Sequence, residues 1–447
     1  MRVMLVSHHY PPDGAAGVER VVEALGAELR ARGDQVSVVS RRLGDPGEKP
    51  RSMRELLPDG ALHYRLSGGE RTTEHFLAHH ERLEQLFTQA LVEAQPDVVH
   101  IHHLLGLSPR FVELAHRLGA AVVVSFHDYY FACPLIILQK PSGELCEGPR
   151  GGLECAQTCF AHESQALLRW GLRTAYFRKV LEAADRFISP SRHMASFFEA
   201  FGADPGRVHV VDNGVSIEPL GAEHGGRSTP SSRGSLNVAY LGTVAPHKGV
   251  HIIVDALGMA GVPAAELVVG GFLADPDYAR RLRESAAAVP GLTLRLYGTY
   301  EMRELPLLLR DVDCLVIPSQ WQETFAIVAR EAFVRGVPIL GARIGGLKEA
   351  VTEGLNGFSF AADSPEQLGE LLRRLADDEE LLLRLREGAR ATPVTPTSAH
   401  ADAVRAVYEE AIDRRARTNG AVRGAAEELR FLESGLVAAG FAEEACS

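Results

Sequence analysis

The sequence predicts an α/β protein with two doubly wound domains, each built on a parallel sheet. First, residues 2–40 follow the order strand, glycine-containing loop, helix, strand. Second, residues 236–257 repeat the order strand, glycine-bounded loop, helix. Third, a chain of 447 residues is long enough for two or three domains with substantial cores. Because strands and helices alternate, a parallel sheet covered by helices on both faces satisfies all three observations.

Charge and composition exclude several classes of function. The formal net charge is −11 and the pI is about 5.9, values that disfavour nucleic acid as a partner. The sequence has no run of eighteen apolar residues, and its first strand leads into a loop instead of a cleavable signal segment. We therefore expect a cytoplasmic protein without a transmembrane segment. The oligomeric state is left open by the sequence.

The amino-terminal unit begins with a strand over residues 2–7. Apolar residues at helical spacing predict a helix over residues 18–31, and the next strand is predicted over residues 35–40. The loop over residues 8–17 ends at Gly17 and lies at the carboxyl end of the first strand. Ligands of open α/β sheets bind at that end, so this loop is a candidate binding segment.

Two further predicted strands, residues 96–103 and 121–128, end in polar residues that include histidines. Histidines at strand ends in an α/β sheet face the ligand crevice, so the histidines of these two segments are candidates for contact with a ligand. A hydrogen bond to a backbone carbonyl at a strand end is the simpler interpretation for His100, His102 and His103.

Four cysteines lie in an insertion over residues 131–162, which is rich in glycine and proline and has little periodicity. Thiolates at close spacing bind zinc tetrahedrally, and a loop without a core of its own would be stabilised by such a site. The spacing lacks paired Cys-x2-Cys motifs, so free or disulfide-linked cysteines are the alternative. The candidate ligands of this structural zinc are Cys133, Cys146, Cys155 and Cys159.

The first domain continues with a helical section and two strands. The helical section is predicted over residues 163–184, and the strands over residues 186–191 and 208–211. Residues 221–235 are rich in Gly, Ser, Arg and Pro and have few apolar side chains to bury, so they are predicted to be an interdomain linker.

The second domain opens with a strand over residues 236–241 and a helix over residues 250–257. The connecting loop, residues 242–249, is bounded by glycines. Lys248 lies in this loop near the carboxyl end of the strand. Its ammonium group can therefore reach phosphate oxygens as a point charge.

A strand, a loop and a helix are predicted between residues 313 and 336. The apolar run over residues 313–318 predicts a buried strand, and a helix is expected to begin near Ala326 and to stop at Gly336. The free N–H groups at a helix start carry partial positive charge and favour an anion such as a diphosphate. These N–H groups belong to Phe325, Ala326 and Ile327.

Two carboxylates flank this anion site: Glu323 in the preceding loop and Glu331 at about the second turn of the helix. Carboxylates do not bind phosphate, but they accept hydrogen bonds from sugar hydroxyls. A nucleotide sugar carries a ribose on one side of its diphosphate and a hexose on the other. The spacing therefore fits Glu331 on the ribose and Glu323 on the sugar. A capping charge and a solvated helix residue would explain the same glutamates without a ligand.

Asp311 and Asp313 have the Asp-x-Asp spacing of a candidate metal-binding carboxylate motif. Because they precede a buried strand, away from its ligand end, a structural role is favoured.

The predicted domains are residues 1–220, residues 236–395, and a helical carboxyl-terminal part over residues 396–447. Helices are expected over residues 365–387, residues 398–415 and, with an apolar face, residues 421–444.

Six segments resemble the retaining glycosyltransferases of family GT4, which have the GT-B fold. The resemblance implies two Rossmann-like domains that face across a cleft, with the acceptor mainly in the first and the nucleotide sugar mainly in the second. It covers about residues 1–415. The segments are Gly17-Val18-Glu19-Arg20 after the Pro-Pro loop, His127-Asp128, Asn213-Gly214-Val215, the Lys248-Gly249 loop, the Glu323-x7-Glu331 stretch, and the strand and glycine loop over residues 337–349.

The resemblance implies transfer of a sugar from a nucleoside-diphosphate sugar, with UDP or GDP as the favoured nucleotide and a small molecule or glycan as acceptor. Retention at the anomeric carbon follows if the departing diphosphate takes the acceptor proton on the same face. His127 would approach the donor sugar, and Gly298 and Thr299 would flank the base. No catalytic metal is expected, because Lys248 and the helix start neutralise the diphosphate.

One position departs from the family pattern. The GT4 loop has the form Gly-Arg-x4-Lys-Gly, in which Arg and Lys neutralise the leaving diphosphate, but here Gly242 is followed by Thr243. A positioned charge of that kind is worth about 3 kcal/mol in transition-state stabilisation. Either the donor is held differently, with His247 or Arg343 helping, or catalysis is slow.

Three alternatives remain open at the level of the sequence. A non-catalytic GT-B-like subunit could bind the donor or activate a partner, and Thr243 favours this. A nucleotide-sugar epimerase on a similar two-domain fold would interconvert donor sugars without an acceptor. A metal-dependent module centred on the four cysteines is the third.

Overall fold

The protein forms two compact units, one up to Gly214 together with the segment from Thr397 on, and the other from Val215 to Pro396. Most of the predicted linker, and the predicted helix over residues 421–444, lie outside the described residues. None of the described helices is long and apolar enough to span a membrane. The computed structural model describes residues 1–14, 16–45, 48–68, 80–217 and 234–418.

The first unit is built on an eight-stranded sheet. Its strands are β1 (Arg2–Ser7), β2 (Gln35–Arg42), β3 (Arg51–Leu56), β4 (Leu62–Ser67), β5 (Val98–Ile101), β6 (Ala121–Ser125), β7 (Arg186–Ser189) and β8 (Val208–Val210). They lie in the order β3-β4-β2-β1-β5-β6-β7-β8. All pairs are parallel except β3 with β4, which is an antiparallel edge pair. The predicted parallel sheet is thus confirmed, while β3 and β4 were not predicted.

Helices cover both faces of this sheet, as expected for strands that are buried along their length. The last helix of the described residues belongs to this unit: its Tyr408 hydroxyl lies 2.7 Å from Nδ1 of His100, and Arg32, directly after the first helix, donates to Asp402 over 2.7 Å. The helices are α1 (Gly17–Ala31), α2 (Glu81–Ala94), α3 (Phe111–Arg117), α4 (Ala166–Ala183), α5 (Arg192–Phe201) and α12 (Thr397–Thr418).

The second unit has a six-stranded, fully parallel sheet. Its strands are β9 (Ser235–Leu241), β10 (Ala264–Gly270), β11 (Leu292–Gly298), β12 (Cys314–Ile317), β13 (Ile339–Ala342) and β14 (Gly357–Phe360). Their order is β11-β10-β9-β12-β13-β14, which is the 3-2-1-4-5-6 order of a Rossmann fold. The helices are α6 (Val250–Ala260), α7 (Pro276–Ala287), α8 (Leu305–Leu309), α9 (Ile327–Val334), α10 (Pro365–Asp377) and α11 (Glu379–Ala391).

The helix predicted over residues 365–387 is wrong in one respect, because the structure divides this segment into α10 and α11. Asp378 lies between them with φ −116° and ψ 89°, and its carboxylate accepts the N–H of Leu381 over 2.9 Å. An aspartate followed by two glutamates is a strong helix start. The cap signal was present in the sequence but was hidden by the continuous apolar periodicity.

Each sheet has a point where the strand order reverses, and ligands of such sheets bind there. In the first unit this point lies between β1 and β5, and in the second between β9 and β12. The segments that follow these strands therefore contain the candidate functional residues.

Candidate active site

The segments after β9 and β12 meet at the reversal point of the second sheet. A 3-10 turn, Pro246–Lys248, follows β9, and the N–H of Gln320 after β12 donates to the carbonyl of His247 over 2.8 Å. Gly249 has φ +74°, and a Cβ there would overlap the carbonyl of Pro318. Close approach of the two backbones thus requires glycine at this position.

Lys248 and Glu323 form an ion pair in this region. Nζ of Lys248 lies 2.7 Å from Oε1 of Glu323, with side-chain exposures of 21% and 8%. The same oxygen accepts the hydroxyl of Ser319 over 2.6 Å and the indole N–H of Trp321 over 2.7 Å. The ammonium also lies 4.4 Å from the centre of the Trp321 ring. Three donors on one oxygen hold the carboxylate in a single orientation and leave Oε2 for another partner.

The charge state of this pair follows from its surroundings. Burial would raise the pKa of Glu323, but Lys248, Ser319 and Trp321 together favour the carboxylate and lower the pKa below its usual value. The neighbouring His247 is kept neutral near pH 7, because burial and the charge of Lys248 lower its pKa to about 4. Lys248 is therefore the cation that this turn supplies, and His247 does not replace the absent arginine as a charge.

A glycine turn fixes the backbone of Glu323 from the other side. The N–H of Gly346 donates to the carbonyl of Glu323 over 2.6 Å. Gly345 has φ +54°, and a Cβ at Gly345 would overlap the backbone of Glu323. The loop after β13 thus positions the carboxylate, which explains why a Gly-Gly pair follows that strand.

The start of α9 lies directly after this carboxylate. Ala326 precedes the helix with φ +56° and ψ 66°, a left-handed conformation that is strained for a residue other than glycine. Phe325 is buried, whereas Ala326 and Ile327 are half-buried. Glu331 is buried within α9, and its backbone carbonyl accepts a hydrogen bond from Arg335 over 2.8 Å. The predicted helix start is thus confirmed to within one residue.

The loops after β9, β10 and β11 are joined by backbone hydrogen bonds. Gly242 donates to Gly270 over 2.9 Å, and Gly271 donates to Gly298 over 2.7 Å. The carbonyl of Thr243 accepts the hydroxyl of Tyr240 over 2.7 Å. These contacts place the proposed base-flanking segment beside the loop that contains Lys248.

Thr299 and Arg343 occupy more exposed positions. Thr299 is exposed at the end of the edge strand β11. The guanidinium of Arg343 donates to the hydroxyl of Ser359 over 3.2 Å, on the strand next to its own. Its contacts are thus with β14, and no described contact links it to Lys248.

The predicted structural role of Asp313 is supported by its contacts. Asp313 is fully buried at the amino end of β12, where it accepts hydrogen bonds from Arg386 over 2.7 Å and from the N–H of Asn237 over 2.8 Å. Asp311 is exposed and lies 3.3 Å from Arg310. Both aspartates thus have protein partners at the end of the strand opposite to the candidate site.

In the first unit, histidines follow β1, β5 and β6, which are adjacent in the sheet. Nε2 of His127 lies 2.9 Å from Nδ1 of His102, and the two rings stack. Asp128 does not bond His127: its Oδ2 lies 2.8 Å from Nε2 of His103. Nδ1 of His103 accepts the N–H of Leu105, so Nε2 bears the hydrogen that is donated to Asp128.

The interpretation of three of these histidines as carbonyl-bonded residues was wrong. His102 and His103 contact the very pair, His127 and Asp128, that was singled out as functional. His100 has a structural role, because its ring nitrogens lie 2.7 Å from the hydroxyl of Tyr408 and from that of Ser125. The rule of carbonyl bonding at strand ends fails because three adjacent strands bring their histidines together.

A buried polar group lies beside these histidines. Nε2 of His8 is 3.3 Å from Oε1 of Glu19, and the rings of His8 and His103 are 4.4 Å apart. Three buried atoms of this group have no hydrogen-bond partner among the described residues. Such atoms are costly unless a ligand or water satisfies them, so they mark a place for a polar ligand. The atoms are Nδ1 of His8, Oε2 of Glu19 and Nε2 of His102.

Three histidines of this group, His8, His102 and His127, are uncharged near neutral pH. Burial lowers the pKa of His127 to about 4, assisted by His103 and His400 and opposed by Asp128. Burial also lowers the pKa of His8 and His102 well below the usual value. His127 thus acts as a hydrogen-bonding group and not as a cation.

This pKa predicts how stability depends on pH. Between the folded value of about 4 and the ordinary value of 6.5, the unfolded chain binds more protons than the folded chain. The contribution of His127 is therefore complete above pH 6.5 and is lost as the pH falls towards 4. We expect His127→Gln to lose less free energy of unfolding over this range than the wild type, measured by urea unfolding. The exposed His162→Gln is the matched control and should follow the wild type; equal losses in all three proteins would contradict the prediction.

The four cysteines after β6 line one small cavity, and all four are free thiols. Across the described ranges, no three His, Cys, Asp or Glu side chains have the arrangement of a formed metal site. The predicted zinc site is therefore not preformed, and its thiols surround a cavity without converging on one point.

With this geometry established, comparison with known proteins identifies the family. Residues 15–219 match Glycosyltransferase Family 4, and residues 227–392 match Glycosyl transferases group 1. The D-inositol 3-phosphate glycosyltransferase 1 of Catenulispora acidiphila is 30% identical over 348 residues, which cover 73% of this chain and 76% of that enzyme. The chain belongs to the glycosyltransferases of the family 4 and group 1 type.

Other glycosyltransferases align over different shares of their length. The glycogen synthase of Mycobacterium tuberculosis is 27% identical over 413 residues, covering 87% of this glycosyltransferase and 89% of the synthase. The D-inositol 3-phosphate glycosyltransferase of Corynebacterium glutamicum is 30% identical over 217 residues, and this chain spans only about half of that relative, 51%.

Solved structures support the fold of this glycosyltransferase. HepE of Anabaena, in complex with UDP and glucose, has a TM-score of 0.62 at 16% identity, covering 92% of this chain and 99% of HepE. The sucrose-phosphate synthase of Thermosynechococcus elongatus has a TM-score of 0.64 at 18% identity, covering 91% and 98%. The family and the GT-B type of fold predicted from the sequence are confirmed.

Two residues of the glycosyltransferase site were missed from the sequence. Ser319 and Trp321 lie within four residues of Glu323 and orient its carboxylate. Both lie in the loop after a buried strand, which is where site residues concentrate in this fold. Their position was therefore detectable, but their donation to one carboxylate oxygen depends on how the loop turns.

Proposed function

We propose that this glycosyltransferase transfers a sugar from a nucleoside-diphosphate sugar to a hydroxyl of a small molecule or glycan, with retention and without a catalytic metal. The observation that carries the proposal is the Lys248–Glu323 pair at the reversal point of the second sheet, 2.7 Å apart and next to the start of α9. A cation, backbone N–H groups and a fixed carboxylate are the groups needed to hold a diphosphate and a sugar together.

The diphosphate would lie against Lys248 and the N–H groups at the start of α9. Lys248 is one-fifth exposed, so its ammonium is available to a phosphate oxygen while it remains paired with Glu323. The helix start adds partial positive charge. Together these groups would supply the charge stabilisation that a divalent cation provides in other sugar transferases.

The two carboxylates would bind the two sugars of the donor. Oε1 of Glu323 is occupied by three donors, so Oε2 would accept a hydroxyl of the transferred sugar. Glu331, which lies within α9, would accept hydrogen bonds from the ribose hydroxyls. The loops at Gly242–Thr243 and Gly298–Thr299 would flank the remaining parts of the nucleotide.

The acceptor would bind in the first unit, where buried polar atoms lack partners. Neutral His127 would hydrogen-bond the acceptor hydroxyl, and Glu19 would accept a hydroxyl of the acceptor. The loop that ends at Gly17 would border this place. Relatives act on inositol 3-phosphate or build glycogen according to their names, which fits an acceptor rich in hydroxyls.

Donor binding is tested by thermal shift with UDP, GDP, ADP and TDP, followed by assays of sugar transfer and donor hydrolysis. UDP is the first choice, because HepE was solved with UDP and with UDP-glucose. Glu331→Gln should weaken nucleotide binding about tenfold or more, since a hydrogen bond to a charged group is worth about 1.5–3 kcal/mol. Glu380→Gln, on the exposed face of α11, is the matched control and should bind as the wild type does.

Two outcomes would contradict the proposal. Either none of the nucleotides raises the melting temperature, or Glu331→Gln retains full affinity. Binding without transfer or hydrolysis of any donor would instead favour the second candidate, a donor-binding subunit without activity. Thr243 is the observation that favours this second candidate, because its side chain provides no charge where the family has arginine.

A further inference from the structure

The cysteine segment lies directly after the His127–Asp128 pair and has little core of its own. Its regular structure consists of an isolated antiparallel bridge between Gln139 and Leu145, a 3-10 turn, Arg150–Gly152, and a π-helical turn, Cys155–Cys159. Cys155 and Ala156 pack with Trp170 in a small cluster on α4. A Cβ at Gly152 would overlap the backbone at Trp170, so the segment docks closely on this helix. A segment of this kind needs a further stabilising contact.

All four cysteines of the segment line the same cavity. Its volume is about 10 Å³, which is room for about one water-sized particle. Such a cavity excludes an organic ligand and a multi-iron cluster. Most of its other walls are apolar, including Ala132, Leu135 and Leu138, so a lone water molecule would find few partners there. A single small ion is the occupant that fits both the size and the thiols.

Burial raises the pKa of the Cys133 thiol to about 11 and also raises the pKa of Cys146, while backbone N–H groups directed at both sulfurs oppose this effect. N–H groups of Leu135 and Leu138 hydrogen-bond the sulfur of Cys133. The N–H of Gly148 donates to the sulfur of Cys146 over 3.4 Å. N–H groups directed at sulfur stabilise a negative charge on it, as they do for metal-bound thiolates.

The second pair of cysteines presents its thiols from one surface. Cys155 and Cys159 are four residues apart in a single helical turn, a spacing that places two side chains on the same face. Cys159 is half-exposed, whereas the other three are buried. This leaves a route by which an ion can enter the cavity from solvent.

A buried cation lies next to the cluster. Arg173 on α4 is 1% exposed and interacts electrostatically with Cys133 and Cys155. Its guanidinium donates to the carbonyl of Tyr130 over 2.7 Å. A tetrathiolate zinc centre has a net charge of −2, and Arg173 offsets part of it in a place where an unbalanced charge would be costly.

We infer that Cys133, Cys146, Cys155 and Cys159 bind one Zn²⁺ as a structural tetrathiolate site. Four thiols lose their protons to solvent and form four Zn–S bonds, so that the ring of sulfurs contracts onto the ion. Zn²⁺ is preferred to hard cations because all four ligands are soft sulfurs. With four protein ligands the ion has no open position and takes no part in sugar transfer.

The site would stabilise the strand end that contains His127. The N–H of Cys133 donates to the carbonyl of Tyr129 over 2.7 Å, and the N–H of Tyr130 donates to Asp128 over 2.8 Å. Cys133 is thus linked through Tyr129 and Tyr130 to Asp128, which hydrogen-bonds His103. Removal of the ion should therefore loosen this segment, in addition to lowering the melting temperature.

The test is the metal content of the full chain, purified under reducing conditions and measured by elemental mass spectrometry. We expect one Zn²⁺ per chain in the wild type and loss of stoichiometric zinc in Cys133→Ser. The matched control is Cys314→Ala, which removes a buried thiol of β12 in the other unit and should keep its zinc. Zinc-free chain reloaded with Co²⁺ should show the thiolate-to-metal and d–d absorption of a tetrahedral tetrathiolate site.

The Co²⁺ spectrum of the wild type keeps the inference testable if Cys133→Ser does not fold. Zinc-free wild type that binds neither Zn²⁺ nor Co²⁺ with its thiols reduced would overturn the inference. So would a disulfide within the cluster, a metal other than zinc in the purified chain, or Cys133→Ser with full zinc content. None of these measurements depends on sugar transfer, so a failure of the zinc inference can be distinguished from a failure of the proposed activity.

Discussion

Lys248→Ala should lower kcat for sugar transfer by about 10²–10³-fold, the effect of removing one positioned donor from a developing negative charge. Lys248 is the cation of the turn after β9, since His247 is neutral and the family's arginine is replaced by Thr243. The negative charge on the diphosphate grows as the sugar leaves. The loss should therefore appear in kcat more than in the affinity for the nucleotide, measured by steady-state kinetics and by titration calorimetry.

Two further variants distinguish the effect of losing the positive charge from a general effect of substituting a lysine. Lys179→Ala removes a surface lysine that pairs with Glu182 on α4, and it should retain wild-type kcat. Lys248→Arg keeps a positive charge and should recover part of the lost rate. Because Lys248→Ala leaves Glu323 buried without its cation, circular dichroism must first show that this variant is folded. A folded Lys248→Ala enzyme with unchanged turnover would refute the proposed role of the lysine.

The sequence predicted the architecture well, because hydrophobic periodicity reports burial directly. Buried parallel strands such as β12 are short apolar runs, and the loops after them contain glycines for close backbone contact. The edge strand β3 and its neighbour β4 escaped prediction. β3 is largely exposed and lacks an apolar run, so its pairing is set by its neighbour in the sheet.

The residues of the candidate site were predicted from the sequence, but the hydrogen bonds between them were not. Lys248 and Glu323 were assigned separate partners, phosphate and sugar, whereas they also bond to each other. They are 75 residues apart, and only the order β9–β12 brings them together. In the same way, His102 was linked to His127 by strand order and not by any local pattern. Contacts between distant segments depend on topology, which periodicity does not encode.

The two oxygens of the Glu323 carboxylate have different environments, so a single substitution can test them separately. Oε1 accepts Lys248, Ser319 and Trp321, and glutamine can reproduce these bonds with its carbonyl oxygen. At the position of Oε2, however, glutamine presents an NH₂ group, which donates instead of accepting. Glu323→Gln therefore keeps the packing while it reverses the hydrogen bond offered to a sugar hydroxyl and removes the negative charge.

We expect Glu323→Gln to lower kcat about 10–100-fold, since a hydrogen bond to a charged group is worth about 1.5–3 kcal/mol. Glu370→Gln, exposed on α10, is the matched control and should transfer sugar at the wild-type rate.

The pH dependence of the free energy of unfolding provides a second measurement on Glu323→Gln. The lowered pKa of Glu323 means that its charge stabilises the fold above the unfolded value of about 4.3, and that this contribution is lost as the pH falls through the folded value. The difference in unfolding free energy between wild type and variant should thus shrink with acidification. A glutamine variant with full activity would show that Oε2 does not contact the transferred sugar.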